Sequence, residues 1–204
     1  MQDGGRTALL PGRPAGRIRV RESRPPPSKK RPGEGETIAQ GPRMSSEVDQ
    51  IHAIGLLAAH ESAIADLYRV YAAKLPGYRQ FFEQLASDEV EHARQIISFA
   101  AKVRAGSTHI NPGRFSAESV LSSIDLVRAK VKEAQTTGIS LIDALSTGAA
   151  IENMMLERRF FEVVERDGPE LQRMMTGLAA ATAAHRRRLM QALEKERAAA
   201  SGSQ

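Results

Sequence analysis

Glu89 and His92 stand three positions apart in a stripe that otherwise reads Phe82, Leu85, Ile96, Phe99 and Val103. On a helix, three residues subtend about 60° and rise nearly one turn, so both side chains can reach one metal ion, or the carboxylate can bridge to a second. The same kind of interruption recurs in three other apolar stripes. Glu61 breaks Ile54, Leu57/Ala58, Ile64/Ala65, Tyr68, Ala72 and Leu75. Glu152 breaks Leu145, Ala149, Leu156, Phe160 and Val163, and Thr182 with His185 breaks Leu171, Met175, Leu178, Leu189 and Ala192. A buried ionised carboxylate without a partner costs several kcal/mol. Three at one level need a strong compensating charge, and one or two divalent cations supply it. Carboxylates with imidazoles suit iron or manganese. The chain has no cysteine, which excludes thiolate zinc, iron–sulfur centres, thiol catalysis and disulfide scaffolds.

The elements that must position these groups are marked by sparse punctuation. Pro76-Gly77, Gly106, Pro112-Gly113, Gly138 and Gly168-Pro169 separate long segments rich in Ala, Leu, Glu, Arg and Met, with no strand alternation. The pattern predicts helices at about 46–75, 78–105, 140–167 and 169–197, with a further helix at about 116–135. Ser116 is a candidate cap for the further helix, though neither Glu118 nor Ser119 completes a capping box. Ser140 with Asp143 makes the better pair. Two short turns make two antiparallel hairpins, and the stretch of about 35 residues between them can run the bundle's length at 1.5 Å per residue. An all-α four-helix bundle with one long crossover follows, its second and third bundle helices parallel. Counting from the turns, Glu61 and Glu89 stand about 22 and 20 Å up one hairpin, and Glu152 and His185 about 24 and 26 Å up the other.

Charge divides the chain of 204 residues, whose net charge is +5. Residues 1–43 hold ten basic and four acidic side chains, with seven of the ten prolines, and form an expected disordered tail. Residues 44–204 hold 19 bases and 20 acids and make one expected domain. The basic character belongs to the tail, which argues against a specific nucleic-acid partner for the domain. No apolar run approaches the roughly 20 residues of a membrane span, and no secretory pattern follows the first arginines. A cytoplasmic protein without membrane partners is expected.

Glu61-Ser-Ala-Ile-Ala-Asp-Leu-Tyr68 and Leu85-Ala-Ser-Asp-Glu89-Val-Glu-His92-Ala resemble the first half of a rubrerythrin-type di-iron domain of the ferritin-like superfamily. Ala150-Ile-Glu152 with Phe160-Phe161 is similar to its third helix, and Leu178-Ala…His185 to its fourth. The likeness covers about residues 48–195. It implies a ferritin-like bundle, Glu61, Glu89, His92, Glu152 and His185 as metal ligands, and one or two iron ions. It also implies Fe(II) oxidation coupled to reduction of peroxide or O₂, and a homodimer. The family pattern has E-x-x-H on two helices. Here the fourth helix reads Thr182-Ala-Ala-His185, one carboxylate short. Without cysteine there is no rubredoxin-like module, so electrons must come from an external donor protein. The alternative is a degenerate bundle with one metal or none and a binding or structural role. Tyr68 is read as an amphipathic core residue that could also bond a ligand or pass an electron. Arg187 and Arg188 are read as a solvated face, the paired methionines as packing, and His52, His60 and His109 as having no partner pattern.

Overall fold

A computed structural model of the chain describes residues 47–108, 110, 116–162 and 168–202. The expected tail at residues 1–43, His109 and Val163 lie outside the described residues. Among the described residues every regular element is helical, so the all-α expectation holds. No described helix is long and apolar enough to cross a membrane.

Helix α1 spans Glu47–Lys74, a 3₁₀ turn Pro76–Tyr78, α2 Arg79–Arg104, α3 Ala117–Thr136, α4 Leu141–Glu157 and α5 Pro169–Ser201. Pro76 has no N–H to continue α1, and the Tyr78 N–H closes the turn on the Leu75 carbonyl at 2.9 Å. At the far end of α2, Gly106 takes φ +69°. Its N–H bonds the Val103 carbonyl while that of Ser107 bonds the Lys102 carbonyl, the paired bonds of a left-handed helix stop. Ser116 caps α3 by accepting from the Ser119 N–H at 3.3 Å. Ser140 caps α4, accepting from the Asp143 N–H at 3.1 Å and donating to Asp143 Oδ2 at 2.6 Å.

One boundary differs from expectation. The helix read over 140–167 stops at Glu157. Arg159, at φ +54°, occupies the left-handed position where glycine is usual. Its N–H bonds the Leu156 carbonyl, and that of Phe160 bonds the Met155 carbonyl. The same stop therefore forms without the glycine that marks it in sequence. It folds Phe160 and Phe161 back onto the protein, where both are buried.

Pairs of contacts give the helix directions. From one end of α2 to the other, Tyr78 meets Glu196, Glu89 meets His185 and Lys102 meets Glu170, so α2 and α5 are antiparallel. His60 meets Ser123 and Lys74 meets the Gln135 carbonyl, so α3 lies along α1 in the same direction. Tyr68 bonds Glu152 while Tyr71 neighbours Thr147, so α4 opposes α1. α1 packs mainly on α2 and α3, and α4 on α5. Gly148 lets α4 approach closely: a Cβ there would meet Leu189 Cδ2 at 3.1 Å and Tyr68 Cε1 at 3.2 Å. A single apolar cluster including Ile54, Leu57, Ile64, Leu85, Ile96, Leu145, Met155, Leu178 and Leu189 fills the interior.

Candidate metal centre

The five candidate ligands come from four helices and meet in this core. Exposure is 1% at Glu61, 2% at Glu89, 9% at His92, 0% at Glu152 and 4% at His185. Each sits in a stripe whose neighbours one or two turns away are buried and apolar: Leu57 and Ile64, Leu85 and Ile96, Leu145 and Met155, Leu178 and Leu189. Hydrophobic burial of those stripes therefore carries the polar groups inward with them. The atoms form two triads, Glu61/Glu89/His92 and Glu89/Glu152/His185, each with one ligand atom per residue within 4.8 Å of the others. Glu89 belongs to both. Its Oε2 is 2.8 Å from His92 Nδ1 and its Oε1 is 2.7 Å from His185 Nδ1. Glu61 Oε2 lies 3.7 Å from His92 Nδ1, and Glu152 Oε1 the same distance from His185 Nδ1, ion-pair separations rather than hydrogen bonds. The two imidazoles stack at 5.5 Å between centroids.

The electrostatics follow from this crowding. Burial pushes the Glu61 carboxyl up, and the Glu89 charge pushes it further, to about 8. Burial alone would raise Glu89 too, but its bonds to His185 and His92 prevail and hold it below the ordinary carboxylate value. Burial would lower both histidines. The carboxylates of Glu61 and Glu89 instead raise His92 to about 10, and those of Glu152 and Glu89 raise His185 to about 10. Acid–base partners alone leave gaps, however. Both oxygens of Glu61 and Oε2 of Glu152 are buried with no hydrogen-bond partner. Orphaned buried acceptors are rare because each forfeits its hydration. A cation in each triad would satisfy them, so the donor set fits carboxylate–imidazole metal binding.

Further groups close around the ligands. The Tyr68 hydroxyl donates to Glu152 Oε1 at 2.6 Å, so of the roles open to it the bond to a candidate ligand is realised. Burial and the Glu152 charge raise its pKa well above the usual phenol value. Thr182 is buried one turn before His185, where the fourth carboxylate was expected. Met155 and Met175 are buried in the core, as packing requires.

Asp88 joins the site without any signal from ligand spacing. Its Oδ2 lies 3.2 Å from His185 Nε2 and 3.3 Å from Arg188 Nη1. Both His185 nitrogens are thus engaged, Nδ1 on Glu89 and Nε2 on Asp88. Arg188 also lies over the Phe81 ring at 5.6 Å, which corrects its reading as purely solvated. The signal was present: Asp88 precedes Glu89, and Arg188 is one turn beyond His185, both at the stripes' edge. His60 also acquires a partner. It is fully buried, with Nε2 2.7 Å from Ser123 Oγ and its ring edge-on to Phe160 at 5.7 Å. Burial lowers its pKa, keeping it neutral. His52 is exposed on α1, apart from the site.

Comparison with protein-family models, curated proteins and solved structures finds no match for this chain. Its function is read from the site.

Proposed function

We propose that this chain is a metal-binding, ferritin-like four-helix bundle, its two hairpins α1–α2 and α4–α5 joined by a crossover containing α3. In this reading Glu61, Glu89, His92, Glu152 and His185 hold iron, with Glu89 shared between two positions. The observation that carries it is the pair of triads meeting at Glu89, with three buried carboxylate oxygens left without a hydrogen bond. Carboxylates as terminal and bridging ligands with imidazoles as terminal ligands are the chemistry of iron or manganese.

Bound Fe(II) would supply the electrons that reduce peroxide or O₂. The chain's own part is to hold the ligands and exclude water. Tyr68 fixes Glu152, Asp88 fixes His185, and the apolar residues above and below keep the site dry. An external one-electron donor restores the reduced state. Thr182 favours a second reading, a bundle that retains one metal or none and serves in binding.

Anaerobic Fe(II) titration with metal counting tests both. The first reading expects about two irons per chain, the number that a di-iron carboxylate bundle holds. Glu89→Ala, which removes the ligand common to both triads, should abolish binding. One iron would select the second reading, and undiminished binding by Glu89→Ala would remove this site from consideration.

A further inference from the structure

The chain has three tyrosines, six phenylalanines and no tryptophan. All three tyrosines and two phenylalanines gather in one column between the candidate metal centre and the α1–α2 turn. Tyr68 and Tyr71 lie on α1, Tyr78 ends the 3₁₀ turn, and Phe81 and Phe82 begin α2. Phe82 is their hub, with ring centroids 6.1 Å from Tyr68, 5.4 Å from Tyr71 and 6.5 Å from Tyr78. Tyr68 is fully buried, and Tyr78 is half-buried at the turn.

Packing alone accounts for adjacent rings. It does not require the two ends of the column to be built alike. The Tyr68 hydroxyl donates to Glu152 Oε1 at 2.6 Å, and the Tyr78 hydroxyl donates to Glu196 Oε1, also at 2.6 Å. These are short bonds of the charge-assisted kind. A phenol that loses an electron becomes strongly acidic and must pass on its proton at once. A carboxylate already bonded to the hydroxyl is the acceptor for it. Both terminal tyrosines have one, and one of these acceptors is itself a candidate ligand.

We propose that Tyr68, Phe82 and Tyr78 form a one-electron path from the metal centre to the surface at the α1–α2 turn. The proposal rests on the metal-binding reading above and names the way in for its electrons. The oxidant is a peroxide, which takes up two electrons and two protons to give two waters. Where only one of the two positions is filled, as Thr182 in place of a carboxylate makes pertinent, bound Fe(II) would supply one of these electrons and Tyr68 the other. The Tyr68 O–H bond breaks, the electron goes to the peroxide, and the proton goes to Glu152. An electron then passes from Tyr78 across Phe82 to the Tyr68 phenoxyl, which recovers its proton from Glu152. The Tyr78 proton goes to Glu196. A one-electron donor at the surface reduces the Tyr78 phenoxyl, and Glu196 returns the proton. The two protons taken up by the peroxide come from solvent. A second electron from the donor would return the iron to the Fe(II) state, so that no net change remains in the protein.

The test uses the full chain loaded anaerobically with one equivalent of Fe(II) and mixed with one equivalent of hydrogen peroxide. A nitroso spin trap, 2-methyl-2-nitrosopropane, marks exposed tyrosyl radicals, and peptide mass mapping locates the adduct. Wild type should carry it on Tyr78. Phe82→Leu should lower that labelling several-fold at unchanged iron content, and Tyr68→Phe should lower it at least as far. Phe82→Leu leaves the Tyr68–Glu152 bond in place and decides the matter where Tyr68→Phe disturbs iron binding. Tyr78→Phe should lose the adduct while an interior tyrosyl signal persists longer in electron spin resonance. Equal Tyr78 labelling in Phe82→Leu, or no Tyr78 adduct in an iron-loaded wild type, overturns the path and leaves the metal site standing. A chain that takes up no iron overturns both.

Discussion

Glu89 differs from every other polar residue in the core because two helices' worth of partners converge on its two oxygens, His92 on one and His185 on the other. A side chain in that position sets the distance between the triads. Asp88, the next residue along, acts through His185, whose Nε2 it engages while Nδ1 faces the site. A carboxylate on the far nitrogen fixes ring orientation and raises ligand basicity. Asp88→Asn should therefore weaken metal binding by roughly 10–100-fold with little change in fold, measured by competition against a chelator. Thr182 is the opposite case, a buried hydroxyl where the resemblance led us to expect a carboxylate. Thr182→Glu adds a buried carboxylate at 2% exposure, which should lower the melting temperature of the metal-free protein. Added Fe(II) should then raise that temperature more than in wild type, and metal content should increase. Equal shifts in the two proteins would show that residue 182 does not face the metal.

At the scale of elements, helix ends decide how much of each stripe is presented. The stop at Arg159 shortens α4 and turns Phe160 onto His60 and Phe161 inward. A non-glycine residue in the left-handed region costs roughly 1–2 kcal/mol. Arg159→Gly should accordingly stabilise the domain by about 1 kcal/mol, seen as a higher denaturation midpoint with unchanged slope. A loss of stability would mean that the Arg159 side chain, which pairs with Glu162 at 3.1 Å, matters more than the backbone. α3 is held to α1 by His60 on Ser123, a buried bond between two otherwise apolar surfaces. That bond sits beside Glu61 in sequence, so α3 and the first candidate ligand are anchored on the same turn of α1.

For the whole molecule, the site links protonation to stability and, in the proposed reading, to metal binding. Folding raises His92 and His185 from 6.5 to about 10. Their contribution to stability is complete below 6.5 and is lost as pH rises through 10. Glu61, raised from 4.5 to about 8, contributes in the same sense, its share fading between those values. Glu89 is lowered, so its contribution is present above 4.5 and is lost as pH falls below it. The metal-free protein should thus become less stable from neutral pH towards pH 10. Ligation needs these groups deprotonated, so metal affinity should rise over the same range. Melting curves with and without metal should diverge as pH increases. A metal-induced shift that is constant with pH would show that protons and metal do not compete here.

Composition and spacing alone determined a good deal. Apolar residues recurring at helical intervals require helices, and burial of those stripes requires Glu61, Glu89, His92, Glu152 and His185 to point inward. Count along each helix from Pro76 and Gly168 was enough to set their heights, because rise per residue is nearly constant. Caps at Ser140 and Ser116 were legible for the same local reason. What lay beyond reach was whatever depends on two segments meeting off the stripe. Asp88 and Arg188 are ordinary charged residues until α5 lies against α2, and His60 has no partner until α3 returns along α1. The end of α4 was hidden because an arginine, not a glycine, takes the left-handed position, a choice favoured by the burial of Phe160 and Phe161. Local periodicity brings the candidate ligands to the core. Only the packing of four helices decides that Glu89 belongs to both triads, that Tyr68 holds Glu152, and that three carboxylate oxygens remain without a hydrogen bond.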